Sequence, residues 1–326
     1  MAEIAVIVVN YNAGELALAA VESVLAHTHP GHDVHVHLVD NASPNGDGAM
    51  LAEVAAARGW GARVTLHLER VNHGFGRGNN LVLEELARCA MPPDYVFLLN
   101  PDAQLEGETI ATLANFLAAH PKAAVAGARA RNPGREAPVT AAFQFPSAWS
   151  VLSSAINFGP VARVLDRHRV ALDPDLPTQR VDWVSGAAVM ARFDVWRELG
   201  FFDPEYFLYY EEVDLMLRTA RTGWECWHVA EARIVHVEGA STDVKSVATE
   251  RKRHPAYLYH SWQHYFRKNH GRGYALLSAA AWTGGAIVNH LLVRLRGQRP
   301  AAPKRFFEDF WAEGWRPLLG LAPGRR

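Results

Sequence analysis

The chain has 326 residues, of which 49% are apolar and 21% charged, and this composition is typical of a globular protein. Its two cysteines, Cys89 and Cys226, exclude a framework of disulfides and a paired cysteine metal site, and they fit a reducing cytoplasm. The net charge of −1 conceals an asymmetry, because residues 250–326 contain 14 Lys and Arg against 4 Asp and Glu (+10), which leaves −11 for residues 1–249. A basic segment after an acidic body indicates an anionic partner, either a membrane surface or nucleic acid.

Strand and helix patterns alternate in the first part of the chain, which favours βαβ units and a mostly parallel sheet. No basic leader or cleavage site precedes the first strand, so no signal peptide is expected. The stretch 132–178 has scattered Pro and Gly and is predicted to be irregular, and regular patterns return from Arg180 to about His236. The predicted strands are Ile4–Val9, Val34–Val39, Val64–Leu68, Tyr95–Leu99 and Ala123–Ala128, and the predicted helices are Glu15–His27, Met50–Arg58, Asn79–Arg88 and Glu108–His120.

Polar, turn-forming residues follow each of the first four strands. Because the carboxyl ends of parallel strands meet at one edge of the sheet, where ligands collect, these residues predict a binding site. Taken singly, each could be an ordinary turn former, but four at one edge make that reading weaker. The segments are Asn10-Tyr-Asn12, Asp40-Asn41, the run from Asn72 to Asn80, and Asn100-Pro-Asp102.

The chemistry of these segments suits a nucleotide. Tyr11 can stack on a base, and Asp40 can accept a hydrogen bond from a pyrimidine N3–H. The glycines from Gly74 to Gly78 let the backbone approach a phosphate. Asp102 could share a divalent cation with a diphosphate, because Mg²⁺ is usually held by one or two carboxylates together with substrate phosphates.

The glycine run does not predict a dinucleotide-binding Rossmann domain. That fingerprint requires Gly-x-Gly-x-x-Gly directly after the first strand. Here Asn10-Tyr-Asn12 follows the first strand, and the glycine run follows the third. Asn79 stands where the last glycine should be, so a Rossmann dehydrogenase is rejected.

A second dense segment places three carboxylates, Glu211, Glu212 and Asp214, in the first turn of a predicted helix. The helix dipole favours acidic residues there by about 0.3–1 kcal/mol, which accounts for one or two of them. The aromatic residues Phe207, Tyr209 and Tyr210 precede them, so a general base with a raised pKa could also lie here.

Together these motifs resemble family-two glycosyltransferases of the GT-A fold, and within them the rhamnosyltransferase-like group. The resemblance runs from Ile4 to Ser241. It implies an α/β fold with a mostly parallel, Rossmann-like sheet flanked by helices, followed here by a C-terminal helical extension. The matching segments are Val8-Val-Asn-Tyr-Asn12, Val39-Asp-Asn41, Asn72-His-Gly-Phe-Gly76 with Asn79-Asn80, Leu98-Leu-Asn-Pro-Asp102, Trp183-Val-Ser-Gly-Ala187, Gly200-Phe-Phe-Asp-Pro204, Tyr210-Glu-Glu-Val-Asp-Leu215 and Ile234-Val-His236.

The resemblance also implies roles for individual residues. Asp102 matches the metal-binding position, with Mg²⁺ or Mn²⁺ as the ion, and His236 matches a histidine that completes the metal site in relatives. The residues expected at the nucleotide are Asn10, Tyr11, Asn12, Asp40, Asn41, Gly74, Arg77 and Asn79, and those expected at the donor sugar or acceptor are Asn100, Trp183, Ser185 and Gly186.

The expected catalytic base is Glu212, where relatives usually carry aspartate. The extra methylene changes its reach, so Asp214 is the alternative base and Glu211 completes the catalytic group. The implied reaction is a direct inverting displacement, in which the base takes a proton from an acceptor hydroxyl that attacks the anomeric carbon.

The implied function is transfer of a sugar from a dTDP- or UDP-sugar to a glycan or lipid-diphosphate-linked acceptor in bacterial cell-surface polysaccharide synthesis. Rhamnose from dTDP-rhamnose is the first choice, by resemblance alone. Two alternatives stay open: a sugar nucleotidyltransferase and a non-catalytic glycan- or nucleotide-binding relative. The first would need a basic glycine-rich loop after the first strand, whereas Asn10–Gly14 contains no Lys or Arg.

The predicted domains are a catalytic domain, 1–245, and a basic helical region, 246–326. In the latter, Tyr274–Val293 is uncharged and lies between the clusters Arg251–Arg253 and Arg294–Arg299. Such a segment fits a helix in the membrane interface; the alternative is a helix that packs on protein, including a second copy in a homo-oligomer. We therefore expect a cytoplasmic protein at the inner face of the cytoplasmic membrane, and no nucleic-acid partner.

Overall fold

The computed structural model describes residues 1–237 and 252–321, which divide into two compact units. The first comprises Met1–Phe143, Leu172–Pro204 and 211–237, and the second comprises Gln144–Ala171, Glu205–Tyr210 and 252–321. The predicted domain boundary at 245/246, the end of the motif resemblance at Ser241 and the basic residue Arg251 lie outside the described residues.

The first unit is an α/β unit whose elements we number together with those of the second in chain order. Its strands are β1 (Ala2–Asn10), β2 (His32–Asp40), β3 (Val64–Leu68), β4 (Tyr95–Leu99), β5 (Ala103–Glu106), β6 (Ala123–Arg131), β7 (Pro138–Val139), β8 (Ala142–Phe143), β9 (Gln179–Val181), β10 (Trp183–Val184), β11 (Ala188–Arg192) and β12 (Glu225–His236). Its helices are α1 (Gly14–Leu25), α2 (Asp47–Ala57), α3 (Gly74–Leu86), α4 (Thr109–Ala119), α7 (Phe193–Glu198) and α8 (Glu211–Arg221).

The central sheet has the strand order β3-β2-β1-β4-β11-β6-β12-β5. The first four strands in this order are parallel, β11 runs antiparallel between β4 and β6, and β12 is parallel to β6. Short antiparallel partners, β5 and β9, flank β12. The predicted α/β sheet is confirmed, and its parallel half places four strand ends along one edge.

The core lies on both faces of this sheet. All of Ile4–Val9 is buried, as expected for a central parallel strand with an unbroken apolar run. Alternate β1 residues join the main apolar cluster with α1 and α4. On the opposite face α3 approaches β1 closely, since a methyl group added to Gly78 would lie 3.0 Å from Val9 Cγ1.

Two elements differ from the sequence prediction in this unit. Helix α3 begins at Gly74 instead of Asn79, so the glycine run forms its first turn and is not a loop. Strand β5, which immediately follows Asp102, was not predicted because its four residues alternate between buried and less buried and lack a β-branched run.

The second unit is helical and contains α5 (Ala148–Ile156), α6 (Gly159–Val164), α9 (Ala256–Leu295), α10 (Phe306–Phe310) and α11 (Arg316–Leu318). The prediction that 132–178 is irregular is wrong for 148–164. Ser147 caps α5, since its Oγ accepts from the Ser150 N–H at 3.2 Å while Ser150 Oγ accepts from the Ser147 N–H at 2.9 Å. This two-serine variant of the capping box lacks the acidic residue that usually marks it in a sequence.

Helix α9 packs one side against α5. A methyl group on Gly285 would lie 2.6 Å from Ala155 Cβ, and Asn289 Nδ2 donates to the Ile156 carbonyl oxygen at 2.9 Å. The helix is bent at Gly271, whose φ of 82° is outside the helical region. Among the described helices, only α9 is long and apolar enough to cross a bilayer, by length and composition.

Candidate functional site

The register of the sheet brings the predicted site segments to one edge. Asn10 pairs with Asp40 at the ends of β1 and β2, and Val8 pairs with Leu99, so the turn from Asn100 to Asp102 follows beside the end of β1. At the other side of this turn, Ala103 pairs with His236 at the end of β12. The shared edge predicted from the sequence is therefore present in the first unit.

Asn10 links two buried carboxylates at this edge. Its Nδ2 donates to Asp40 Oδ1 at 2.9 Å and to Asp47 Oδ2 at 3.0 Å. Ser43 Oγ also donates to Asp40 Oδ1, at 2.6 Å, and the Gly14 N–H donates to Asp47 Oδ2 at 2.9 Å. Hydrogen bonds to both carboxylates fix the rotamer of Asp40, which is a requirement for selective recognition of a base edge.

The loop after β1 is hydrogen-bonded to this network through Ser43. Asn12 has φ of 55°, a conformation that asparagine tolerates better than most residues, and its N–H donates to Ser43 Oγ at 3.0 Å. Tyr11 is 40% exposed, so its ring can stack on a ligand from solvent. Asn12 thus acts through the backbone, and Tyr11 is the member of this loop with a ring available to a base.

Asn41 shapes the start of α3 and uses both ends of its amide to do so. Its Nδ2 donates to Asn72 Oδ1 and to the Gly74 carbonyl oxygen, both at 3.1 Å, and its Oδ1 accepts from the His73 N–H at 3.0 Å. Gly74 has φ of 76°, which favours glycine. Asn41 and Gly74 therefore organise the loop that leads into α3.

Arg77 and Asn79 lie on the first turns of α3. Arg77 Nε donates to the His73 carbonyl oxygen at 3.0 Å, and neither Nη atom bonds to a described residue. Asn79 is buried, with Nδ2 donating to the Phe75 carbonyl oxygen at 2.9 Å, while its Oδ1 has no hydrogen-bond partner among the described residues. The Arg77 guanidinium keeps donors for an anionic ligand.

Asp102 and His236 form a close pair. Their Oδ1 and Nε2 atoms are 3.1 Å apart, and the Asp102 side chain is only 2% exposed. The Val237 N–H donates to the Asp102 carbonyl oxygen at 2.9 Å, which ties the end of β12 to the turn. A carboxylate oxygen and an imidazole nitrogen at this spacing can both face one divalent cation. No group of three or more His, Cys, Asp or Glu suited to a metal occurs among residues 1–237 and 252–321.

Three predicted donor-sugar or acceptor residues have structural contacts. The Asn100 N–H donates to the Ala187 carbonyl oxygen, and the Ser185 N–H donates to that of Ala141, both at 2.9 Å. Trp183 is buried and stacks on Phe143, with ring centroids 4.1 Å apart and an interplanar angle of 15°. One face of the Trp183 indole is therefore covered by Phe143 and is not available to a sugar.

The fourth, Gly186, contacts the predicted base. Its N–H donates to Glu212 Oε2 at 2.7 Å. Burial raises the pKa of Glu212 to about 7, and the Gly186 N–H partly opposes this by lowering it. A carboxylate with a pKa near neutrality is suited to accept and release a proton.

The other two acidic residues of α8 have different surroundings. Burial, and after it the neighbouring Glu212, raises the pKa of Glu211 to about 8, and Glu211 Oε2 has no hydrogen-bond partner among the described residues. Asp214 is fully buried and its Oδ2 accepts from Arg218 Nε at 2.9 Å. The three carboxylates are brought together on α8, and Glu212 bonds to the loop between β10 and β11.

Helix α3 supports the start of α8 through close packing. A methyl group on Gly76 would lie 3.1 Å from Phe202 Cβ and 3.3 Å from Glu211 Cβ, so glycine permits this approach. The Asn80 amide donates to the Phe202 carbonyl oxygen at 2.8 Å and accepts from the Phe202 N–H at 3.1 Å. Gly76 and Asn80, which the glycine-run motif includes, thus position the acidic helix.

Sequence reasoning missed Asp47 and Ser43, which hold Asn10 and Asp40. Asp47 begins α2, where an acidic residue is an ordinary helix-start signal, and nothing in its neighbours marks it as part of a site. Two glycines that pack closely on these carboxylates are a weak sequence signal. A methyl group on Gly14 would lie 2.7 Å from Asp47 Cγ, and one on Gly48 would lie 2.9 Å from Asp40 Oδ2.

Residues 2–255 match the model of the family described as "Glycosyltransferase like family 2". The chain belongs to this family. Among curated proteins, this family-2 glycosyltransferase is 28% identical over 221 residues to the N-acetylglucosaminyl-diphospho-decaprenol L-rhamnosyltransferase of Mycobacterium tuberculosis, which covers 64% of the chain and 68% of that protein. It is 24% identical over 166 residues to the rhamnosyltransferase WbbL of Escherichia coli, which covers 50% of the chain and 61% of that protein.

Superposition on solved structures identifies the fold of this chain. The mannosyltransferase PcManGT from Pyrobaculum calidifontis, solved with GDP-Man and Mn²⁺, superposes with a TM-score of 0.55 at 16% identity, covering 89% of this chain and 75% of that one. The present chain also superposes on Staphylococcus aureus TarS 1–349, with a TM-score of 0.53 at 12% identity, and this superposition covers 98% of this chain and 83% of TarS 1–349. The fold is GT-A, as the motifs predicted, and the chain is a glycosyltransferase.

Proposed function

We propose that this chain is an inverting, metal-dependent rhamnosyltransferase that transfers rhamnose from dTDP-rhamnose to a hydroxyl group of a lipid-diphosphate-linked glycan. The observation that carries the mechanism is the Glu212 carboxylate, which is partly buried, accepts a hydrogen bond from the Gly186 N–H at 2.7 Å, and has its pKa raised to about 7. The choice of sugar and of acceptor class is supported by the names of the two curated relatives.

The donor lies along the sheet edge in this proposal. The Asp40 Oδ2 atom accepts from the N3–H of thymine or uracil, because Oδ1 already accepts from Asn10 and Ser43 side chains whereas, among the described residues, Oδ2 accepts only the longer bond from the Ser43 N–H, at 3.3 Å. Tyr11 stacks on the base, and the Arg77 Nη atoms donate to the diphosphate. Thymine and uracil present the same N3–H, so this hydrogen bond does not distinguish them. Recognition of the thymine methyl group requires a different contact.

Asp102 and His236 hold the divalent cation, Mg²⁺ or Mn²⁺. When bound, the ion offsets negative charge on the nucleoside diphosphate as it leaves. The pairing of His236 with Ala103 and the bond from the Val237 N–H to the Asp102 carbonyl oxygen join the end of β12 to β5 and to the turn before it, which positions Asp102 beside His236.

Glu212 performs the proton transfer. It accepts the proton of the acceptor hydroxyl, whose oxygen then forms the bond to the anomeric carbon while the bond to the nucleoside diphosphate breaks. Attack from the side opposite the leaving group inverts the configuration at that carbon.

The acceptor proposal includes a membrane. On α9 the exposed apolar residues Leu277, Val288, Leu291 and Leu295 recur at spacings of 11, 3 and 4, which places them on one face, opposite the side that packs on α5. Arg294 lies in the last turn of α9, next to these apolar residues. Apolar residues with flanking arginines fit a helix that rests in the interface of an anionic bilayer, at the cytoplasmic surface where a lipid-diphosphate acceptor would be held.

The test of the proposed function is nucleotide release. The purified full chain is incubated with dTDP-rhamnose, UDP-GlcNAc or GDP-mannose, a polyprenyl-diphosphate-linked N-acetylglucosamine acceptor and Mg²⁺ or Mn²⁺. We expect dTDP release and a new glycolipid from the first donor alone. Transfer from UDP-GlcNAc with no reaction of dTDP-rhamnose would replace the proposed sugar, and no transfer from any donor would remove the activity.

A further inference from the structure

Gly186 and Glu212 make a contact that the chemistry of the site does not by itself require. The Gly186 N–H, in the turn between β10 and β11, donates to Glu212 Oε2 at 2.7 Å. We propose that Gly186 is a positioning residue that holds the Glu212 carboxylate at the acceptor hydroxyl, and that a side chain at position 186 would displace this carboxylate. This inference rests on the proposed function, in which Glu212 is the base.

The available space supports this. A methyl group on Gly186 would overlap Glu212 Oε2, and it would lie 3.4 Å from Phe75 Cζ, an ordinary contact distance. The backbone does not demand glycine, because Gly186 is not among the glycines with positive φ. The overlapping atom is the end of a flexible side chain, so alanine at 186 would displace the carboxylate and leave the backbone in place.

The length of residue 212 decides whether the two positions interact. Aspartate is shorter than glutamate by one methylene, so its carboxylate would withdraw by about 1.5 Å, one carbon–carbon bond. It would then neither reach the Gly186 N–H nor occupy the space of an alanine methyl group. The effects of substitutions at positions 186 and 212 should therefore be strongly non-additive.

The charged groups around Glu212 do not replace this contact. Glu211 precedes it on α8 and is buried, and no hydrogen bond joins the two carboxyl groups in the described part of the chain. Asp214, two residues on, is bonded to Arg218. The Gly186 N–H is the donor that favours the ionised form of Glu212 in the described part of the chain, and losing it should make the base harder to ionise.

A double-mutant cycle tests the pair in the full chain, with kcat, KM, dTDP affinity, melting temperature and the pH dependence of kcat measured for Gly186→Ala, Glu212→Asp and the double variant. Gly61→Ala is the matched control, because a methyl group there meets nothing within 4 Å. We expect Gly186→Ala to lower kcat by roughly 100-fold, the cost of about 1 Å of misplacement, with the acid limb moved to higher pH and dTDP affinity unchanged. In the Glu212→Asp background the same change should cost less than about 3-fold, because the alanine methyl group would no longer overlap the shortened carboxylate, and such a background-dependent loss is the mark of two coupled sites.

Equal losses in both backgrounds, or a Gly186→Ala enzyme with wild-type kcat and pH profile, would overturn the inference. If Gly186→Ala does not fold, Glu212→Asp alone still tests it, because the shortened base also loses the N–H and its acid limb must move to higher pH. Failure of the proposed function is a separate result: an active Glu212→Gln enzyme would remove the base itself, whatever the behaviour of Gly186.

Discussion

Asp214 Oδ2 accepts a hydrogen bond from Arg218 Nε at 2.9 Å, one turn further along α8, and the same guanidinium donates to the Leu199 and Phe201 carbonyl oxygens. This buried ion pair ties α8 to the loop before it. A carboxylate committed to an arginine serves the fold, whereas Glu212 bonds only to a backbone N–H in the site. The contrast favours Glu212 over Asp214 as the base.

Glu212→Gln should therefore lower kcat by at least about 100-fold, with nucleotide affinity nearly unchanged, because a general base contributes 10²–10⁴-fold. Asp214→Asn should chiefly lower stability, by roughly 3–5 kcal/mol, since it leaves Arg218 without its buried partner. Steady-state kinetics and urea unfolding of the two variants, beside Glu211→Gln, separate these effects. A folded but inactive Asp214→Asn together with an active Glu212→Gln would exchange the two roles.

Asp102→Ala should abolish metal-dependent turnover, because its carboxylate is the proposed oxygen ligand of the cation. The Asp102 side chain is buried, so Asp102→Ala should also have a lower melting temperature. The His236 imidazole is more exposed, so His236→Ala should have a melting temperature closer to that of the wild type, while its metal affinity falls. The measurement is activity against Mn²⁺ concentration, with EDTA as the control. Wild-type turnover in excess EDTA, or in Asp102→Ala, would remove the ion from the mechanism.

Asp47→Ala should weaken dTDP binding and raise KM, with a smaller effect on kcat, since Asp47 holds the Asn10 amide that orients Asp40. Loss of a hydrogen bond to a charged group costs about 1.5–3 kcal/mol, or roughly 10–150-fold in dissociation constant if it is lost wholly from the bound state. Isothermal titration with dTDP measures this. Glu53→Gln, an exposed change on the same helix, is the control. Equal affinities in all three proteins would deny Asp47 a role in the nucleotide site.

Acid should destabilise the protein through His37. Burial first, then the neighbouring His35 and His67, lowers the pKa of His37 to about 3, while the unfolded chain has its ordinary value near 6.5. The unfolded state therefore binds more protons below pH 6.5, and stability falls as pH decreases from 6.5 toward 3, by about 1.4 kcal/mol per unit for this group. Between pH 7 and 5, the free energy of unfolding of the His37→Gln variant should fall by about 2 kcal/mol less than that of the wild type. Urea midpoints with parallel pH dependence in both proteins would contradict this.

Binding to anionic vesicles should depend on both the charges and the apolar face of α9. Replacing Arg294, Arg296 and Arg299 by Gln should remove most of the salt-sensitive part, since each basic residue near such a surface contributes about 1 kcal/mol. Replacing Leu277 and Leu291 by Gln should remove a part that high salt leaves intact, because only exposed charges are screened. Co-sedimentation with neutral and anionic liposomes across a salt series measures both. Equal and negligible binding to both lipids would refute membrane contact, and α9 would then be a packing or oligomerisation surface.

The strand ends were predictable because each is marked locally. An apolar run followed by Asn, Asp or Gly predicts both a buried strand and its end, and the parallel arrangement follows from the alternation. Asp40 and Asp102 could be found in this way, whereas Glu212 was marked by three carboxylates in the first turn of a predicted helix. The ordering of the site residues by role came from the resemblance to a family, since single carboxylates do not distinguish a ligand from a turn former.

What could not be predicted depends on contacts between distant segments. The bond from Asn10 to Asp47 joins residues 37 positions apart and has no motif, and the role of Gly186 depends on a residue 26 positions later. Helix α5 was missed for a related reason: its residues are small and polar on one side, and they become helical against α9, which lies more than a hundred residues further along the chain.

That separation has a consequence for how the protein is made. The Ile156 carbonyl oxygen and the Asn289 amide that it bonds to are 133 positions apart, so α5 leaves the ribosome long before its partner exists. At about 5–20 residues per second, the wait is roughly 7–27 s. During that interval the α5 surface that α9 will cover faces solvent or chaperones. Slower translation across residues 157–289 should therefore lower soluble yield more than slower translation before residue 148.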